Sequence, residues 1–162
     1  MAVLINRQRK VHFSVKWVRG FFLKAEKILD VKEDSVTVVF LSDERIAELN
    51  RQWRGVDGPT DCLSFPMQEE DDPFSGGYLG DIAISLETAE RQASIYFPEH
   101  SDRDALVREV TVLFVHSVLH LLGYDHDTPE KLKEMASKEN YILSQLFPGE
   151  DVKGLEARIK DR

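Results

Sequence analysis

Three of the chain's five histidines, His116, His120 and His126, fall within eleven residues, spaced H-x3-H-x5-H, with Gly123 midway between the last two. On an α-helix, residues four apart are rotated by only ~40° and lie ~6 Å apart along the axis, so His116 and His120 project from one face. Gly123 can take the left-handed conformation that ends a helix and turn the chain back, bringing His126 towards the same point. Three neutral imidazoles on one ion leave a fourth position for water, which is the arrangement of catalytic rather than structural zinc. Each histidine alone reads as an ordinary core or surface residue. Together, behind an apolar helix and around a glycine, they read as a metal site holding one zinc ion per chain.

The elements that must position these rings follow from periodicity and caps. Residues 2–6 (AVLIN) and 35–41 (SVTVVFL) read as strands, the second continuous enough in β-branched and apolar residues to lie inside a sheet. Between them Ser14 offers an N-cap, and Val18, Phe21, Phe22, Ala25, Ile28 and Leu29 recur at helical spacing. Ser42 caps a second helix whose expected buried stripe is Ile46, Leu49 and Trp53. A turn at 55–59 and a short strand ended by Pro66 come next, then an acidic surface loop over 67–77 and a strand over 78–85. Leu86, Ala89 and Ala93 mark a further helix. Ser101 caps the long helix that carries the histidines, and apolar residues cover so much of its surface between 102 and 122 that it must be largely buried. Thr128 and Pro129 form an N-cap and first-turn pair for a last helix bearing Leu132, Met135, Ala136, Ile142, Leu143 and Leu146.

This order predicts an α+β fold. A small mixed β-sheet of about four strands, its first two parallel, is packed by about five α-helices, with the metal site at the C-terminal end of the long buried helix. Residues 1–150 form a single metallohydrolase domain, and 151–162 are expected as a charged, loosely held tail.

At 162 residues, 42% apolar and 31% charged, the composition is that of one ordinary globular domain. The single cysteine, Cys62, excludes an internal disulfide. Neither a signal-peptide run nor a stretch of eighteen apolar residues is present, so a cytoplasmic, non-membrane protein is expected. A net charge of −8 argues against a general nucleic-acid coat. A divalent ion adds two positive charges where they matter, so the site itself can still attract a polyanion.

The skeleton H-x3-H-x2-G-x2-H is that of the metzincin proteases, whose pattern places a glutamate base directly after the first histidine. Here Ser117 stands there, and a hydroxyl cannot hold a proton abstracted near neutral pH. Peptide hydrolysis is therefore disfavoured. Metal-activated water needs no such base, and a phosphodiester suits it if a cation neutralises the developing charge. Arg54 is the candidate, because a guanidinium engages two phosphate oxygens at once.

The segment HSVLHLLGYDH resembles the signature H-G-x-L-H-L-x-G-Y-D-H of the YbeY family of bacterial ribonucleases. Two further blocks agree: NRQWRGVD with TDCLSFP at 50–66, and GDIAI at 80–84. Ser117 stands where that family usually has glycine and Cys62 where it usually has valine. The resemblance implies a single-strand-specific, metal-dependent endoribonuclease. Its substrate would be ribosomal RNA, particularly the 3′ end of the small-subunit RNA, with a part in ribosome quality control and the ribosome as partner. It also implies that His116, His120 and His126 bind zinc and that Arg54 belongs to the active site. Attack by a metal hydroxide and attack by the RNA 2′-hydroxyl both remain open. A second class of reading is a ribosome-associated assembly or adaptor factor with a mainly structural zinc, and a third is a metallohydrolase of another substrate class.

Other residues carry less. Asp125 reads equally as an orienter of an imidazole and as a turn aspartate. Asp61 and Asp81 read as local hydrogen-bonding residues, His12 and His100 as structural or exposed, and Cys62 as a buried substitute for valine with no base to activate it. The basic residues Arg7, Arg9 and Lys10 read as a solvated charge run that could touch RNA backbone. No feature of the sequence sets the oligomeric state.

Overall fold

The computed structural model describes residues 1–67 and 77–160, the side chains of 159 and 160 excepted; the expected loop over 67–77 lies almost wholly outside them. Four strands, β1 (Val3–Asn6), β2 (Val36–Leu41), β3 (Cys62–Pro66) and β4 (Gly80–Ser85), form one sheet in the order β1-β2-β4-β3. The first two are parallel with Val3 opposite Thr37, β4 runs parallel to β2 with Val36 opposite Gly80, and β3 is the antiparallel edge with Cys62 opposite Ile84. The expected mixed sheet is thus formed, with β2 in its interior.

Strand alternation divides the core in two. Val36, Val38, Phe40, Ile82 and Ile84 face the larger core, while Leu41, Leu63 and Ala83 meet Ile46 of helix α2 (Asp43–Arg54) in the smaller one. Helix α1 (Lys16–Ile28) contributes Val18, Phe22 and Ala25 to the larger core, and Phe22 stacks on Phe114 with ring centroids 3.8 Å apart. Each ring so buried stabilises the fold by about 2 kcal/mol. Helices α3 (Leu86–Tyr96), α4 (Asp102–Leu121) and α5 (Pro129–Leu146) complete this layer, with α4 buried along most of its length. None of the described helices is long and apolar enough to cross a membrane.

Three of the four caps read from sequence are made, Ser14 being the exception. Ser42, Ser101 and Thr128 accept hydrogen bonds from the backbone N–H groups of Arg45, Asp104 and Lys131, and Ser85 does the same for α3 through Thr88. Ser14 stands one residue outside the helix start, where its Oγ accepts from the Lys16 N–H.

Two expectations need correction. Trp53 is not in a buried stripe: it is 64% exposed and packs edge-to-face with Phe65, ring centroids 6.0 Å apart. The inner position of that last turn is taken by Asn50, 2% exposed, whose amide donates to the Gly58 carbonyl at 2.9 Å. The segment 151–162 is no solvated tail over its described part. It contains a sixth helix, α6 (Leu155–Lys160), with Glu156 and Arg158 buried, because the Arg158 guanidinium finds a buried partner in Glu109 at 2.7 Å.

Candidate metal centre

Helix α4 ends where Gly123 takes φ 96°. The Gly123 N–H then reaches the His120 carbonyl and the Tyr124 N–H the Leu119 carbonyl, both at 3.0 Å, the paired bonds of a glycine-terminated helix. The turn does two things for the site. It swings the chain back so that the His126 ring comes to 5.2 Å from the His120 ring, centroid to centroid. It also points the Tyr124 carbonyl at His120 Nδ1, 3.0 Å away.

A carbonyl oxygen only accepts, so His120 must carry its proton on Nδ1, which leaves the lone pair on Nε2. His116 is fixed in the same way by α5: its Nδ1 lies 2.9 Å from Oε1 of Glu139, a carboxylate with no exposure to solvent. Both rings therefore present bare Nε2 atoms, and these face each other at 3.1 Å. Two lone pairs cannot hydrogen-bond to one another; a cation between them resolves the contact. Nitrogens bound tetrahedrally to one zinc ion at ordinary Zn–N distances stand roughly 3.3 Å apart. The donor set therefore fits a metal. Burial, and then the neighbouring His116 and His126, push the His120 pKa down and favour the neutral form that ligates.

Among the described residues, the ligand atoms that lie within 4.8 Å of one another belong to His116, His120 and Glu156 of α6. His126, exposed on its turn, lines the same cleft without joining that group. The cleft, of about 800 Å³, is lined by the three histidines and Arg54 together with Thr60, Ser64 and Gln92. Arg54 is the last residue of α2, and the left-handed Gly55 that follows it ends the helix there. So the structure brings Arg54 and the three histidines to one cleft, although they are far apart in sequence.

The lesser candidates are placed as well. Asp125 Oδ1 accepts from the His126 backbone N–H at 2.7 Å, and this bond lowers the Asp125 pKa; its role is in the turn. Asp61 accepts from the Cys62 N–H at 2.7 Å, and Asp81 accepts from the Tyr78 hydroxyl. Burial pushes the Cys62 thiol well above its ordinary range, which removes it as a nucleophile. His12 packs edge-on to Trp17, and His100 lies 3.2 Å from Glu150.

Glu139 and Glu156 were not found from sequence. Glu139 had a signal: a carboxylate in the buried stripe of α5, beside Met135, Ala136, Ile142 and Leu143. Glu156 had none, since it sits in a short, highly charged segment that reads as solvated.

A profile of the family described as Endoribonuclease YbeY matches residues 4–147 of the chain. The Endoribonuclease YbeY of Pelotomaculum thermopropionicum is 52% identical over 155 residues, a match covering 90% of this chain and 97% of that one. The Endoribonuclease YbeY of Clostridioides difficile is 48% identical over 151 residues, covering 89% and 95%. A solution structure of a Thermotoga maritima protein superposes with a TM-score of 0.57 at 28% identity, over 93% of this chain and 99% of that one.

Proposed function

The chain belongs to the YbeY family of endoribonucleases, metal-dependent enzymes of ribosomal RNA maturation, and we propose on that premise that it cuts single-stranded RNA with one zinc ion. His116, His120 and His126 hold the ion, and Arg54 binds the phosphate at which the chain is cut. The observation that carries this reading is the approach of the His116 and His120 Nε2 atoms to 3.1 Å. When bound, zinc supplies Lewis acidity and positive charge at the phosphodiester.

The protein's own residues do the rest. Glu139 and the Tyr124 carbonyl hold the two imidazoles in the ligating tautomer. Arg54, in the same cleft, donates to non-bridging phosphate oxygens and stabilises the charge that grows on them. The preference for a single strand is carried over from the family resemblance. We assign ribosomal RNA of the small subunit, near its 3′ end, as substrate, with the ribosome as partner, ribosome quality control as a further role and the cytoplasm as location; the support is the family's role in ribosomal RNA maturation.

The test is elemental analysis of purified protein alongside cleavage of a single-stranded RNA by wild type, Arg54→Ala and His116→Ala. Zinc is expected in wild type and in Arg54→Ala. Cleavage by Arg54→Ala should fall roughly 10²–10³-fold, the usual effect of removing one charge-stabilising donor. Loss of both metal and cleavage is expected in His116→Ala. Full activity in metal-free His116→Ala sinks the reading, and a protein that chelator unfolds but that cuts no RNA under any metal is an assembly factor instead.

A further inference from the structure

We propose that Glu156 of α6 is a fourth protein donor to the metal centre, so that the segment after α5 completes the site. The inference rests on the metal reading above and adds a ligand that lies outside residues 4–147, the part of the chain matched to the family.

Three observations carry it. Glu156 is fully buried, and neither of its carboxylate oxygens has a hydrogen-bond partner. A buried, unpartnered carboxylate is strongly disfavoured unless a positive charge meets it. The Glu156 Oε1 lies 3.6 Å from His116 Nδ1, on the Glu139 side of that ring, and a Glu156 oxygen is also within 4.8 Å of ligand atoms of both His116 and His120, so a metal ion held by the two rings brings positive charge within its reach. Zinc takes carboxylate oxygen together with imidazole nitrogen, and it can expand to five donors, so a fourth protein group is compatible with catalysis.

The placement of α6 is built rather than incidental. Gly154 passes so close to Glu139 that a Cβ on it would collide with Oε2, and its N–H donates to Asn140 Oδ1 at 3.0 Å. Past Glu156, Arg158 is clamped between the carboxylate of Glu109, 2.7 Å away, and the face of Tyr96, 3.9 Å from its centroid. Glu156 is held between these two anchors. The carboxylate that orients His116, Glu139, is also the wall against which this segment packs.

The experiment uses metal-free full-length protein, wild type and Glu156→Gln, titrated with Zn²⁺ against a chromophoric chelator and with Co²⁺ followed by visible absorption. Glu156→Gln is expected to bind zinc about 10–100-fold more weakly and to give a Co²⁺ spectrum altered in intensity and band position, since one oxygen donor is lost. The Co²⁺ spectrum decides. If it is unchanged, Glu156 is not a ligand and the proposal is overturned, whatever the zinc affinity. Should Glu156→Gln lose its far-ultraviolet circular dichroism, Glu156→Asp serves: withdrawal of the carboxylate by one methylene must also alter the spectrum. If wild type takes up neither ion, the metal reading fails and this inference with it; if only the spectral change is missing, the three-histidine reading stands.

Discussion

At the scale of single residues, the site depends on tautomers. An imidazole ligates well only when its other nitrogen is held by an acceptor, and Glu139 and the Tyr124 carbonyl are those acceptors. Glu139→Gln keeps the size of the side chain and removes its charge. We expect zinc affinity to fall about 10–100-fold, measured by chelator competition, with the fold retained. Unchanged affinity would show that the Tyr124 turn alone suffices. That the three histidines share one cleft was legible, because a helix and its terminal turn bring residues together by local spacing. Glu139 was not, because its contact with His116 spans 23 residues of chain and no local rule links α5 to α4.

At the scale of elements, the helix starts were legible for the same reason. A cap is a bond between residues three apart, and Ser42, Ser101 and Thr128 all behave as their positions foretold. What the sequence hid is how the capped ends are tied to each other. Asp43, in the first turn of α2, accepts from the hydroxyls of Ser85 and Thr88 at 2.6 Å each and from Arg91 at 2.8 Å, all at or after the end of β4. Burial acts to raise the Asp43 carboxyl, but these three bonds outweigh it and hold its pKa below the ordinary value. The ionised form is therefore favoured in the folded state. Its contribution is fully present above the unfolded carboxylate pKa and is lost as pH falls through the lower folded one. Asp43→Asn should cost about 1–2 kcal/mol at neutral pH, read by urea denaturation, and its difference from wild type should close as the medium becomes strongly acidic. A gap that stays constant with pH would refute the charge as its cause. Trp53 was misread at this scale too: helical periodicity gives a stripe, but only the neighbouring strands decide how far along the helix the stripe is covered.

At the scale of the whole molecule, one ion pair joins elements that the sequence gives no reason to connect. Arg158 and Glu109 lie 49 residues apart and both are buried, with Gln92 Nε2 on the same carboxylate at 2.7 Å. Removing one partner leaves the other buried and uncompensated. Arg158→Met is therefore expected to destabilise the protein by about 3–5 kcal/mol, while the double replacement Glu109→Leu with Arg158→Met should recover most of that loss. Chemical denaturation of Arg158→Met, Glu109→Leu and the double variant checks it, and additive losses in the double variant would contradict it. Long-range pairing of this kind is why the last segment reads as a tail and folds as a helix.

The chain also has two tryptophans, and the fold places them in opposite settings. Trp17 lies beneath the Arg103 guanidinium at the start of α4, 4.2 Å from its ring centroid; thirteen residues separate Arg103 from His116, which is about 20 Å along the helix axis. Trp53 stands open to water, one residue before Arg54, which lines the cleft. The molecule thus carries its own optical probes. A nucleotide strand laid in the cleft and stacking on an exposed indole should quench Trp53 emission and leave that of Trp17 alone, whereas unfolding changes both. Titration of Trp17→Phe protein with RNA would then read occupancy of the cleft by light, without a label and without turnover.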